Sequence, residues 1–183
     1  MTTFDSASES TPLNAAAPQV VVMGVSGSGK STIGALVADA MNIPFLDGDS
    51  LHPLANIHKM AEGTPLTDED RWPWLGIVGD ELASASAKGM VIACSALKRR
   101  YRDVIRAKAP GTIFLHLDGS IEVLSARLEG RSGHFMPPSL LASQLASLEP
   151  LDTDERAVVI DVAAGITAIL VEAEAGILHV LAS

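Results

Sequence analysis

The sequence predicts an α/β protein of three layers, a parallel β-sheet with helices on both faces. Three observations carry this. Short apolar runs alternate along the chain with longer stretches of helical periodicity. The strand candidates are apolar at successive positions, the pattern of strands buried on both faces. The 183 residues, 48% hydrophobic and 19% charged, suffice for one domain with a full core and leave little room for a second. Aromatic residues make up only 4%, so Ala, Val, Ile and Leu must fill that core.

Residues 1–18, rich in Ser, Thr, Ala and Pro, read as a disordered tail, with a single domain over 19–183. Val20-Val21-Val22-Met23 is the first strand, and a glycine-rich loop follows it. A helix is expected from Lys30 to Met41, with Ile33, Leu36, Val37 and Ala40 on one face. Pro44-Phe45-Leu46 forms a short second strand that opens into Asp47-Gly48-Asp49. A polar helix is expected over 52–61, broken by Gly63-Thr64-Pro65. Thr67 followed by Asp68, Glu69 and Asp70 is a helix N-terminus, a threonine cap with acids against the positive dipole end. That helix runs to about Ala87. Met90 to Cys94 is the third strand, 97–108 a basic helix and Thr112 to Leu117 the fourth strand. Helices follow at 120–130 and 139–147, separated by a Gly/Pro-marked loop over 131–138. Ala157 to Val162 is the fifth strand and 165–181 the last helix.

The net charge of −9 lacks the positive field that non-specific nucleic-acid binding needs, and it suits an anionic membrane poorly. A single cysteine, Cys94, excludes an intrachain disulfide and a multi-cysteine zinc site. No apolar run reaches the length of a membrane span, and the N-terminal stretch has neither the basic start nor the apolar core of a secretory signal. The expected location is the cytoplasm.

Ligands of parallel sheets sit beyond the carboxyl ends of the strands, and the chemistry-bearing residues of this chain cluster there. Gly24-Val25-Ser26-Gly27-Ser28-Gly29-Lys30-Ser31 satisfies G-x-x-x-x-G-K-[ST] between a buried strand and an amphipathic helix. Glycines let backbone N–H groups converge on phosphate, and the helix adds unpaired N–H groups and its dipole. Lys30 is expected on the β/γ-phosphates and Ser31 on Mg²⁺, with Thr32 close by. The alternative is a chance Gly/Ser turn. The Asn-Lys-x-Asp motif expected of a GTPase is absent from the sequence.

Asp47 and Asp49 share a face if the backbone is extended. Near the phosphate loop, one would hold Mg²⁺ through water and the other would accept a substrate proton. Asp-Gly-Asp is equally good turn chemistry. Arg127 and Arg131 lead into the 131–138 loop, as arginines on a closing lid over transferring phosphate or as charges neutralising a helix C-terminus. Trp74 reads as core, Cys94 as buried and inert. Six of the 13 Lys and Arg lie between 98 and 108, a stripe read mostly as solvated surface beyond its first turn.

With these pieces in view, the chain resembles the gluconate kinases (gluconokinases), a P-loop small-molecule kinase family. The resemblance rests on the phosphate loop through Thr32, on Asp47-Gly48-Asp49, Leu51-His52-Pro53, and Asn56 with Lys59-Met60. It continues through Asp68, Asp70-Arg71, Pro73-Trp74-Leu75 and Ala93-Cys94-Ser95-Ala96-Leu97-Lys98. Tyr101-Arg102-Asp103, Arg127-Leu128, Gly133-His134-Phe135, Gln144 and Leu148-Glu149 complete it, in order over roughly 20 to 150. It implies ATP- and Mg²⁺-dependent phosphorylation of D-gluconate at its 6-hydroxyl, feeding the pentose phosphate or Entner–Doudoroff route. It also implies strand order 2-3-1-4-5, a short mobile lid over about 128–148, and commonly a homodimer. Departures are the long N-terminal tail, Trp72 before Pro73, and an unusually apolar last helix.

Gluconate is a carboxylate with five hydroxyls, so its site needs cations with both donors and acceptors. Candidates are His52, Lys59 and Arg71 after the second strand, and Ser95, Lys98 and Arg102 after the third. By themselves, His52 reads as a packed helix-start residue and Lys59 as a solvated lysine; only the resemblance favours substrate. It assigns Asp49 to the 6-hydroxyl, His134 to gluconate, and Lys30, Arg127 and Arg131 to the developing charge. By analogy of fold, adenine belongs near Arg127 and residues 162–166. Two rivals stand beside this. A shikimate-type kinase would carry a glycine triplet where this chain has Cys94-Ser95-Ala96. A nucleotide-binding regulator would bind ATP without turnover.

Overall fold

Five strands pair in parallel in the order β2-β3-β1-β4-β5. They are β1 (Gln19–Met23), β2 (Phe45–Asp47), β3 (Met90–Ala93), β4 (Ile113–Asp118) and β5 (Ala157–Asp161). The structure, a computed structural model, describes residues 17–130 and 138–183. The order is the one the family resemblance implies, and each strand lies within a residue or two of its expected place.

The sheet separates two apolar layers, and the alternation of β1 shows how. Val20 and Val22 join one cluster with Ile33 and Val37 of α1 (Lys30–Ala40) and Ile169, Ala173 and Ile177 of α7 (Ile166–Ala182). Leu124 of α5 (Ile121–Glu129) and Leu141 of α6 (Pro138–Ser147) extend that cluster. Val21 and Met23 point the other way, to Trp74, Leu75, Val78 and Leu82 of α3 (Asp68–Ser84) and to Tyr101 and Ile105 of α4 (Arg99–Lys108). Both faces of β1 are therefore dry, which is why its sequence does not alternate.

Helix starts follow their caps. Thr67 Oγ1 accepts from Asp70 N–H while the Asp70 carboxylate accepts from Thr67 N–H, a full capping box. Ser120 caps α5 through Val123 N–H. The polar helix expected over 52–61 begins two residues later, as α2 (Leu54–Ala61), with a separate 3₁₀ turn at Gly48–Leu51 before it. Pro53 explains the break: it has no N–H to donate, and it restricts His52 to extended backbone at φ −62°, ψ 133°.

The basic helix corrects the sequence reading. The α4 stripe is surface as expected but is laced with ion pairs, and Arg102, a candidate substrate residue, is instead buried in one. Its side chain is fully buried, with Nε 2.6 Å from Glu155 Oε1 and Nη2 2.9 Å from Oε2. It also donates to the carbonyls of Ala96, Leu97, Glu149 and Pro150. Arg99 and Arg106 pair with Asp103 and Asp154, and Arg99 also with Asp152. The Asp154 carboxyl is held down at about 2, chiefly by the Arg99 hydrogen bonds. Burial is the largest single influence on Glu155 and raises its pKa. The Arg102 hydrogen bonds, with the other contacts and charges, outweigh it and hold the group below the ordinary value.

Candidate active site

The loop between β1 and α1 wraps a cavity of about 360 Å³ at the carboxyl end of the sheet. Gly27 and Gly29 take φ values of 83° and 96°, left-handed backbone that glycine adopts without steric penalty. The Lys30 ammonium crosses the loop to the Val25 carbonyl at 3.1 Å. Ser26, Gly27, Gly29, Lys30 and Ser31 all line the cavity.

Although β3 lies between β2 and β1, Asp47 reaches the phosphate loop. Ser31 Oγ donates to Asp47 Oδ2 at 2.8 Å, and Asp47 Oδ1 accepts from Asp49 N–H at 3.1 Å. Asp47 thus holds the turn and the serine together. Asp49 lines the cavity with a carboxylate that is 86% exposed, with His52 Nε2 4.0 Å away. The turn is fixed from behind by Trp74, whose indole N–H donates to the Gly48 carbonyl at 2.7 Å. A Cβ on Gly48 would lie 2.5 Å from the Ala93 carbonyl oxygen, so only glycine fits between the two acids.

Hydroxyl and carboxylate oxygens within hydrogen-bond reach, beside a phosphate loop, are the donor set Mg²⁺ takes when nucleotide phosphates supply its remaining ligands. Among the described residues there is no cluster of three or more His, Cys, Asp or Glu that would hold a metal alone.

Ser95 is on the same wall, with its carbonyl accepting from Gly24 N–H at 3.4 Å. Cys94 is buried there, and burial pushes its thiol up to about 12. Thr32 lines a neighbouring cavity of about 280 Å³ instead, with Arg127, Ile166 and Ile169. Arg127 donates to the carbonyls of Ser28 and Val162, tying the phosphate loop to the end of β5. Ser28 is fully buried beneath the loop, and its hydroxyl has no partner among the described residues.

The candidate gluconate residues divide. His52 is buried, stacked on Trp74 at 4.1 Å, with Asn56 Nδ2 3.3 Å from its Nδ1. Burial lowers its pKa, and the Arg71 charge adds to this against the opposing Asp49 carboxylate. Lys59 Nζ is chelated by both oxygens of Asp70 at 2.7 and 2.9 Å. Lys98 Nζ is 3.2 Å from Asp68, which also takes the Tyr101 hydroxyl and Arg100. Hydrogen bonds from Tyr101 to Asp68 and from Lys59 to Asp70 head the causes that lower those carboxyl pKa values. Arg71 donates to the Leu66 carbonyl and stands 5.8 Å from the Tyr101 ring centre. These four candidates lie around the N-terminal half of α3 and do not line the phosphate cavity.

In the sequence Asp68 and Asp70 read as cap acids; the structure adds their second role as partners of the lysines. Gln144 enters the family resemblance with no role attached, yet its Oε1 accepts from Ser26 N–H at 2.7 Å and it lines the cavity. Arg131, His134 and the centre of the expected lid, 131–137, lie outside the described residues.

The shikimate kinase family model matches residues 26–164 of this chain. The thermosensitive gluconokinase of Escherichia coli is 49% identical over 141 residues, covering 76% of this chain and 75% of that protein. A probable gluconokinase of Xenopus tropicalis is 44% identical, covering 85% and 90% respectively. The crystal structure of a gluconokinase from Sinorhizobium meliloti superimposes with a TM-score of 0.83 at 51% identity, over 90% of this chain and 94% of that one.

Proposed function

This chain belongs to the gluconokinases, within the family that the shikimate kinase model describes, and from that premise we propose that it transfers the γ-phosphoryl group of ATP to the 6-hydroxyl of D-gluconate, giving 6-phospho-D-gluconate and ADP. The observation that carries the reading is a single one. Ser31 and Asp47 are joined at 2.8 Å in the same cavity that Asp49 and Lys30 line, so phosphate-binding and proton-accepting groups share one space.

The loop N–H groups and Lys30 bind the β- and γ-phosphates, with Ser31 and, through water, Asp47 holding Mg²⁺. That ion would neutralise charge on the transferring oxygens. Asp49 orients the 6-hydroxyl and accepts its proton; its exposure leaves it open to a substrate entering from the α2–α3 side. Because phosphoryl transfer passes through a loose transition state, positioning outweighs base strength. Arg131 bears the developing charge, whereas Arg127, expected beside it, lines the neighbouring cavity and holds the nucleotide there. Adenine takes the 280 Å³ cavity, where Ile166, Ile169 and Arg127 offer an apolar floor and a cation. Thr32, which lines that cavity, serves the nucleotide there.

Gluconate lies between Asp49, Ser95 and the cations around α3. The gluconate carboxylate competes with Asp68 and Asp70 for Lys98 and Lys59, while Arg71, His52 and His134 contribute to the hydroxyls and carboxylate. We assign the chain to the cytoplasm as a homodimer with no nucleic-acid or membrane partner. Among the described residues no helix is long and apolar enough to cross a membrane, and Val159, Val171 and Leu178 leave apolar surface on β5 and α7 for a second copy.

The test is ATP-dependent ADP release with Mg²⁺ over gluconate, other aldonates, shikimate, nucleoside monophosphates and no acceptor, with NMR of the product. Turnover confined to gluconate and phosphorylation at the 6-hydroxyl is the expected result. Turnover on shikimate instead would discard the acceptor, and nucleotide binding without turnover would leave a regulator.

A further inference from the structure

Gln144 joins two parts of the site that are far apart in the chain. It sits on α6, half-buried, and its Oε1 accepts from the N–H of Ser26, the third residue of the phosphate loop, at 2.7 Å. A carboxamide anchored through its oxygen has only donors left to offer, the two N–H bonds of Nε2. Those donors have no protein partner among the described residues. The same side chain lines the cavity with Lys30, Asp47 and Asp49. The anchor therefore sets both the orientation of the amide and the polarity of the face it turns to the ligand.

We propose that Gln144 orients the transferring phosphoryl group, with its oxygen fixed on the Ser26 N–H and its NH₂ group donating to a γ-phosphoryl oxygen. A phosphoryl oxygen is an acceptor only, so it matches a face that can only donate. Being neutral, the amide binds phosphate without adding a cation to the charge already set by Lys30. Because it is seated on the phosphate loop itself, it keeps register with the nucleotide, the preorganisation that makes such donors effective. The inference rests on the ATP-dependent reading above and deepens it, naming a γ-phosphate contact made from α6.

Two substitutions separate the donors from the anchor. Gln144→Glu keeps the acceptor for Ser26 N–H and removes the donors; Gln144→Met removes both without adding charge. Calorimetry would compare affinity for ADP with that for the β,γ-imido analogue of ATP, and thermal melting would report folding. Both variants should keep ADP affinity within about threefold and lose imido-analogue affinity by about ten- to a hundredfold, the range of a hydrogen bond to a charged group. With gluconate, kcat should fall in parallel. A loss confined to Gln144→Met would mean that only the loop anchor matters, and one confined to Gln144→Glu that only added charge matters; either overturns the proposal. So does an equal loss for both nucleotides, or none. The binding readout needs no gluconate, so a wrong acceptor would leave it standing. Conversely, a silent Gln144 would leave wild-type gluconate turnover untouched.

Discussion

Asp47 and Asp49 do different work although they stand two residues apart. Asp47 has one oxygen on Ser31 and the other on the Asp49 N–H, so it organises the turn and, in the proposed reaction, would face Mg²⁺. Asp49 keeps an exposed carboxylate, the one the proposed reaction gives to the acceptor. Asp47→Asn is accordingly expected to raise the Mg²⁺ concentration needed for half-maximal rate, read from Mg²⁺ titrations at saturating ATP. Cys94, close by, takes no part. Buried and with its thiol pushed up to about 12, it presents no thiolate at neutral pH. Native protein should resist iodoacetamide and urea-unfolded protein should be alkylated at once, as intact mass would report. Rapid labelling of the native chain would contradict that placement.

Among the elements, the turn after β2 is packed against β3, and the Arg102–Glu155 ion pair ties α4 to the 149–155 segment. Gly48→Ala would press a methyl group against the Ala93 carbonyl, and β2 would have to part from β3. Activity should fall together with stability, seen as matched losses in kcat and melting temperature. Glu155→Gln would leave Arg102 buried with no counter-charge and should destabilise the fold by about 3 kcal/mol in urea unfolding. Arg102 also shows where sequence reading stops. Its carboxylate partner is 53 positions away, so helical periodicity could see its face but not its ion pair. The phosphate loop was legible because sterics and dipoles demand particular residues at fixed spacing. The start of α3 was legible because its cap is local. Asp68 and Asp70 satisfied that local role completely, which hid their second one, holding Lys98 and Lys59 across α4 and α2.

For the molecule as a whole, the buried groups predict an acid-sensitive fold. His52 and His116 both have pKa values lowered from 6.5, in each case chiefly by burial. The unfolded chain therefore takes up these protons first as pH falls. Stability from these groups is fully present above about 6.5 and is lost below it. The depressed carboxyls, Asp68, Asp70, Asp154 and Glu155, add a second loss as pH falls below about 4.5. Melting temperature should be flat above pH 7 and fall in two stages toward pH 3, with His116→Asn reducing the first. A rise on acidification through pH 6 would contradict the buried, neutral histidines.

One cavity holds the phosphate loop and Asp49, the acid proposed to serve the acceptor. That role is tested most directly by the steady-state rate of gluconate phosphorylation in wild type and in Asp49→Asn, with ATP affinity measured on the same samples. A fall in kcat of about 10²- to 10⁴-fold is expected, the range for a positioned proton acceptor, with ATP affinity and melting temperature unchanged. An Asp49→Asn enzyme that turns over gluconate at the wild-type rate would contradict it.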